Sequence, residues 1–209
     1  MVGILRSKTL RQSFMMKKAL NLGCQIHHFD SQPDMEWVNQ DVVGDDPNIK
    51  AELVCDAADL SSIPDNTFDF IYSGHLVEHF YPDTLGAAIQ EWRRVLKPGG
   101  RLVIVTPDCG AVMKDYASGR LQHILQTWQQ LYGRIYSYDR PEERHHIAFD
   151  EKTLIMLTSA DSRESWQAWS IVSLRFPPAE LEPFMDTHIS RGAYQLGIIL
   201  TKAGDSSIA

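Results

Sequence analysis

The sequence predicts an α/β fold: a doubly wound, mainly parallel sheet with helices on both faces. Three observations carry this. Short apolar runs rich in strand formers recur along the first hundred residues, separated by turn residues. One of them, Phe68 to Tyr72, is followed by a segment of helical spacing and then by a further run of strand formers from Arg101 to Thr106. Strands that alternate with helices need crossover connections, and such sheets are covered on both sides.

The elements follow in order. Residues 1 to 18 carry Leu5, Leu10, Phe14 and Met15 among basic and polar residues, the pattern of a short amphipathic helix or lead-in. Lys18 to Leu22 is the first apolar run, ending at Gly23; Glu36 to Val43 is the second and Ala51 to Cys55 the third. Pro64-Asp65-Asn66 is turn chemistry leading into the fourth, Phe68 to Tyr72. Residues 83 to 96 place Leu85, Ala88, Ile89, Trp92, Val95 and Leu96 on one helical face, stopped by Lys97-Pro98-Gly99-Gly100.

Beyond the fifth run the pattern changes. Residues 107 to 150 hold Tyr116, Leu121, Trp128, Leu131 and Tyr132 at roughly helical spacing, then Tyr136, Tyr138, Pro141, His145 and His146 in a loop-like stretch. This segment is expected to be a helical cover inserted over the strand ends of one domain spanning residues 1 to 209. A helix near 151 to 158 and strands near 169 to 175 and 193 to 201 are expected to complete the sheet. Ligands of such sheets sit at the carboxyl ends of the strands. Gly23, Asp41, Asp56 and Ser73 each follow an apolar run and are the first candidates for a site.

Composition narrows the function. With 209 residues, 44% hydrophobic and 22% charged, the chain is an ordinary globular protein able to bury one sizeable core. A formal charge of −7 argues against binding driven by nucleic-acid phosphates. Arg6, Lys8, Arg11, Lys17 and Lys18 cluster near the N-terminus, a pattern that solvated helix faces commonly show. Three cysteines form neither a disulfide framework nor a cysteine-based zinc site. They suit a reducing, cytoplasmic setting, and no apolar run has the length of a membrane span. Oligomeric state is left open.

The stretch Asp65-Asn66-Thr67-Phe68-Asp69-Phe70-Ile71-Tyr72-Ser73, then Leu76-Val77-Glu78-His79-Phe80, then Arg94-Val95-Leu96-Lys97-Pro98-Gly99-Gly100-Arg101-Leu102 resembles the middle of a class I S-adenosylmethionine-dependent methyltransferase. Trp37-Val38-Asn39-Gln40-Asp41 and Thr106-Pro107-Asp108 are similar to a small branch of that family, the type 11-like one. The resemblance implies a Rossmann-like sheet, S-adenosylmethionine as cofactor, no metal, and a small-molecule or glycan-like methyl acceptor. It places the cofactor loop on Asn21 to His27, with Gly23 as its first glycine, while Gln25 and His27 stand where the family has glycines and Asn21 where an acidic residue is common. A side chain at Gln25 adds bulk where the cofactor approaches the backbone and burdens a positive φ. Asn21 and Gln25 can instead offer amides to the amino-acid end of the cofactor.

The resemblance further implies that Asp41 accepts from the ribose hydroxyls, that Asp56 and Ala57 meet the adenine, and that Ser73, Gly74 and His75 lie beside the sulfonium. His145 with Phe149 resembles an H-x-x-x-F element of related small methyltransferases, which makes His145 the leading candidate for a base. Asp108 is a candidate to orient an acceptor hydroxyl, and Tyr132, Tyr136 and Tyr138 to line an aromatic pocket.

Two other readings compete. A catalytically silent Rossmann-like scaffold would explain the altered glycine loop. His75-Leu76-Val77-Glu78-His79 also matches HxxEH, which on an α-helix would place two zinc-binding histidines on one face with Glu78 as base. That peptidase reading lacks an evident third ligand. A dinucleotide-binding reading lacks the glycines that must follow Gly23.

Overall fold

The computed structural model describes residues 16–121, 124–133, 143–159, 166–173 and 194–204. Most of the expected N-terminal lead-in falls outside them, as do Tyr136, Tyr138 and Pro141. Seven strands form one sheet in the order β3-β2-β1-β4-β5-β7-β6. They are β1 Lys17–Leu22, β2 Met35–Asp41, β3 Leu53–Val54, β4 Phe68–Gly74, β5 Leu96–Pro107, β6 Trp166–Ser173 and β7 Gln195–Lys202. β1 pairs in parallel with β2 and β4, as β4 does with β5. Among the described residues only β7 runs against the rest, between β5 and β6. The strand order reverses between β1 and β4, which opens a crevice at the carboxyl ends of these two strands.

The helix after β4 starts at Pro82, where a missing N–H costs nothing, and runs to Val95 as α1. Its apolar face, Leu85, Ala88, Ile89, Trp92 and Val95, packs on Leu20, Leu22, Ile71, Leu102 and Ile104 of the sheet. Helix α4, Glu151–Ser159, adds the fully buried Leu154 to the same core. The Lys97-to-Gly100 turn is taken up inside β5: Phe68 lies opposite Leu96 and Phe70 opposite Arg101, so the intervening residues bulge out, with Gly99 at φ +75°.

The opposite face, built on Trp37, Phe70, Tyr72, Val103 and Val105, is covered differently. Among the described residues no helix joins β1 to β2; a loop of residues 23–34 makes the crossover. Phe29 of that loop packs on Trp37 and Tyr72, with ring centroids 4.6 and 5.6 Å apart. An asparagine clamp holds it there. The parallel register sets Asn21 beside Asn39, and Asn21 Nδ2 donates to Asn39 Oδ1 (3.0 Å) and to the His27 carbonyl (2.9 Å). Asn39 in turn accepts from the Phe29 amide and donates to the Phe29 carbonyl.

Beyond β5 lie α2, Cys109–Ala117, and α3, Ile124–Tyr132. Asp108, just before α2, and Phe149 form a parallel bridge, and the Cys109 amide donates to the Phe149 carbonyl at 2.8 Å. The segment around His146 docks on a one-turn 3-10 helix, Val77–His79: the His146 and Ile147 amides both donate to the Glu78 carbonyl. This contact brings residues distant in sequence to the end of β4.

Candidate active site

A cleft of about 590 Å³ lies across the carboxyl ends of β1 and β2 and the loops after β3 and β4. That volume is ordinary for a small-molecule or cofactor site. Gly23, Gln25, Asp41, Asp56, Ala57 and His75, all expected from the sequence, line it. Gly23 turns the chain at φ +63°, a conformation that favours glycine, and a Cβ there would lie 3.0 Å from Leu76 Cδ1, which would have to shift.

Gln25 adopts φ +44° despite its side chain. The expected obstacle to a positive φ is overcome by its main-chain N–H, which donates to Asp41 Oδ2 at 2.8 Å. Asp41 Oδ1 accepts from the Val43 amide at 3.0 Å. The carboxylate is buried at the end of β2, yet each oxygen keeps acceptor capacity for a further donor. Gln40, which the sequence analysis did not single out, ties the two neighbouring loops together. Its Oε1 accepts from the Gly23 amide and its Nε2 donates to the Cys55 carbonyl. No local signal marks it, since a glutamine at a strand end looks like any polar residue.

We expect Gln25→Gly to leave the fold intact, because Gln25 meets Cys24 and Asp41 through its main chain, which glycine keeps. Relief of a left-handed conformation, about 1–2 kcal/mol, is offset by about 0.4–1 kcal/mol of added unfolded-state entropy. Thermal denaturation should therefore show equal or slightly higher stability, and calorimetry undiminished affinity for S-adenosylhomocysteine. A large loss of either would mean that the Gln25 side chain supports the site.

Several sequence candidates lie elsewhere. Asn21 is nearly fully buried and its amide is engaged by Asn39 and His27, so it does not offer that amide to a ligand. Asp108 caps α2, accepting from the Ala111 amide at 2.9 Å. It is not on the cleft wall. Gly74 and Ser73 end β4 behind the wall; a Cβ at Gly74 would lie 2.6 Å from the Tyr72 hydroxyl, and the buried Ser73 Oγ has no hydrogen-bond partner among the described residues. The three cysteines are poor nucleophiles, since burial raises all three thiol pKa values, that of Cys24 to about 12.

Beside the cleft the histidines gather around one carboxylate. Glu78 is 1% exposed; its Oε1 accepts from His75 Nδ1 at 3.2 Å and its Oε2 from the Thr106 hydroxyl at 3.1 Å. Burial opposes its ionisation, but His75, His79 and His145 outweigh burial and hold the carboxyl below its ordinary range. His75 sits at φ +53°, and its Nε2 is 3.1 Å from Gln195 Nε2. Burial disfavours its cation, yet the bond to Glu78 and the charge of Glu78 raise its pKa above the usual value. His145, buried chiefly against the charged form, titrates below the usual value and is neutral at pH 7. It is not on the cleft wall but lies edge-on to His79, which is, with ring centroids 4.9 Å apart.

This arrangement excludes the α-helical form of the HxxEH reading. Only Val77 to His79 form a helical turn, of 3-10 type, and His75 stands outside it in a left-handed conformation. His75 and His79 therefore do not share an α-helical face.

Residues 11–104 match a family model described as "Methyltransferase domain". The matched stretch, just under half of the chain, resembles a methyltransferase domain. Solved structures share the fold of this chain. An S-adenosylmethionine-dependent methyltransferase from Methanosarcina mazei is 21% identical, with TM-score 0.56 and coverage of 90% of this chain and 93% of that one. One from Archaeoglobus fulgidus is 17% identical, TM-score 0.56, covering 90% and 86%. The 1,6-didemethyltoxoflavin-N1-methyltransferase of Burkholderia thailandensis, solved with its substrate and S-adenosylhomocysteine, is 13% identical, TM-score 0.50, covering 90% and 72%. No curated protein matches the chain.

S-adenosylmethionine is the cofactor of this class, and the cleft fits it. Gly23 provides a tight turn, and two carboxylates, Asp41 and Asp56, offer acceptors along the cleft that suit the hydroxyl and amine donors of such a cofactor. Asp56 Oδ1 already accepts from the Ala58 amide at 2.8 Å, which fixes its orientation. Among the described residues no helix follows Gly23 before β2, so no helix N-terminus points into the cleft there.

Proposed function

We propose that the protein transfers the methyl group of S-adenosylmethionine to a small-molecule or glycan-like acceptor bound beside His75 and His79. The observation that carries this reading is a single cleft that begins at the Gly23 turn and the Asp41 and Asp56 carboxylates and ends on a histidine-rich wall. The sulfonium supplies an electrophilic methyl carbon, so the chemistry needs an aligned, desolvated nucleophile more than covalent help. Asp41 anchors the ribose, and Asp56 with Ala57 the adenine. Leu76 and Phe80 exclude water from the wall on which the acceptor lies. The acceptor forms a bond to the methyl carbon as the carbon–sulfur bond breaks toward sulfur. A hydroxyl acceptor must also lose a proton, and the Glu78–His75 pair is the nearest route for it. His145 supports this wall through its contact with His79 rather than by touching the acceptor.

The test combines two measurements. Calorimetry with S-adenosylhomocysteine should give saturable one-site binding, and incubation with S-adenosylmethionine and extracts of the native host should release S-adenosylhomocysteine. Binding with no turnover on any acceptor would favour the silent scaffold. Absence of binding at millimolar ligand would sink the cofactor role altogether.

A further inference from the structure

We propose that Glu78, His79 and His145 form a binding site for one borderline divalent metal ion, of the zinc or cobalt kind, at the histidine wall of the cleft. One ligand atom from each residue lies within 4.8 Å of the other two. Around a tetrahedral ion at about 2.1 Å the ligand atoms stand about 3.4 Å apart, so closing on an ion asks for small side-chain adjustments only.

Hydrogen bonding prepares both rings. His79 Nδ1 lies 3.1 Å from the Arg144 carbonyl and His145 Nδ1 3.2 Å from the Gln130 carbonyl. A carbonyl only accepts, so each ring must carry its proton on Nδ1 and keep its Nε2 lone pair free. Outer partners of this kind orient metal-binding histidines generally. The third ligand is held the same way: Glu78 accepts from Thr106 Oγ1 and His75 Nδ1 and is buried, so its carboxylate has one orientation. The edge-on rings of His79 and His145 can approach one ion as neighbouring ligands.

Two imidazoles and one carboxylate make a nitrogen-rich, mixed set that suits zinc, cobalt or iron(II) over magnesium or calcium. The set differs from the HxxEH one, because His145, which lies beyond α3, replaces His75. Three protein ligands leave a coordination position open, and His79 lines the cleft. An acceptor oxygen or sulfur can fill that position, where a metal would promote its ionisation. That role rests on the methyl-transfer reading; binding of the ion does not.

The test is titration of the full chain, first stripped with EDTA, with Co²⁺ alone followed by visible absorption and with Zn²⁺ alone by calorimetry. One ion per chain is expected, with the intense visible bands of four- or five-coordinate cobalt, and Zn²⁺ should displace Co²⁺. His79→Ala and His145→Ala should each weaken binding by more than the roughly 10- to 100-fold that loss of an outer partner costs, whereas His75→Ala should stay within that range. His79 lies at the surface of the cleft, so its variant keeps the test meaningful even if a change at buried Glu78 prevents folding. No saturable one-to-one binding, or binding that survives both histidine substitutions, would overturn the site. Titration of the same samples with S-adenosylhomocysteine separates the two readings: cofactor binding without ion binding removes the metal site and leaves methyl transfer standing, and ion binding without cofactor binding does the reverse.

Discussion

Replacing Trp92 with alanine is expected to destabilise the protein by about 3–5 kcal/mol, the range for truncating a fully buried aromatic side chain. Trp92 is 0% exposed, packs on Phe80 across 5.9 Å between ring centroids, and donates its indole N–H to the Ala57 carbonyl at 2.8 Å. The substitution opens a cavity under α1 and leaves that carbonyl without its partner. Because domains are stable by only about 5–15 kcal/mol, the loss is a large part of the total. Trp92→Phe separates the two contributions: it keeps most of the ring volume and loses the N–H, and should cost about 1–3 kcal/mol. Urea denaturation of the three proteins measures both differences. Equal stability of wild type and Trp92→Ala would mean that α1 is not packed as described. The effect should also reach the site, since Ala57 lines the cleft and its position is set from below by this bond. Weaker binding of S-adenosylhomocysteine by Trp92→Phe is the corresponding expectation.

Asp41→Ala should weaken S-adenosylhomocysteine binding by about 1.5–3 kcal/mol, roughly 10- to 150-fold, the range for hydrogen bonds to a charged group. The structure adds a second consequence. Asp41 accepts from the Gln25 and Val43 amides, so its removal releases the strained turn at Gln25 and leaves two amides without their acceptor. Stability should fall as well, by a comparable amount, and calorimetry must be done well below the melting temperature of the variant. Asp41→Asn keeps one acceptor oxygen and should lose less of both. Undiminished affinity in a folded Asp41→Ala protein would remove Asp41 from the cofactor site.

Local signals made much of the site legible. Gly23, Asp41 and Asp56 each follow an apolar run, which makes them candidates in a sheet whose strand ends hold ligands, and all three line one cleft. The helix from Pro82 to Val95 and the bulge at Lys97 to Gly100 follow from periodicity and from proline and glycine chemistry. Asn21 misled for a physical reason. Its amide suits a ligand as well as it suits Asn39, and only the parallel register of β1 with β2 decides between them. Asp108 had the same ambiguity between a substrate contact and a helix cap.

Sequence alone thus determined the succession of the first five strands, the helix between the fourth and fifth, the single glycine turn and the carboxylates that follow two strands, because these depend on periodicity and on the conformational limits of single residues. Tertiary structure alone decided the antiparallel insertion of β7 between β5 and β6, the helix-free crossover sealed by Phe29, and the meeting of Glu78 and His79 with His145. Such meetings are set by long-range packing, here the docking of the segment around His146 on the Glu78 carbonyl, and residues 66 positions apart carry no local sign that they will meet.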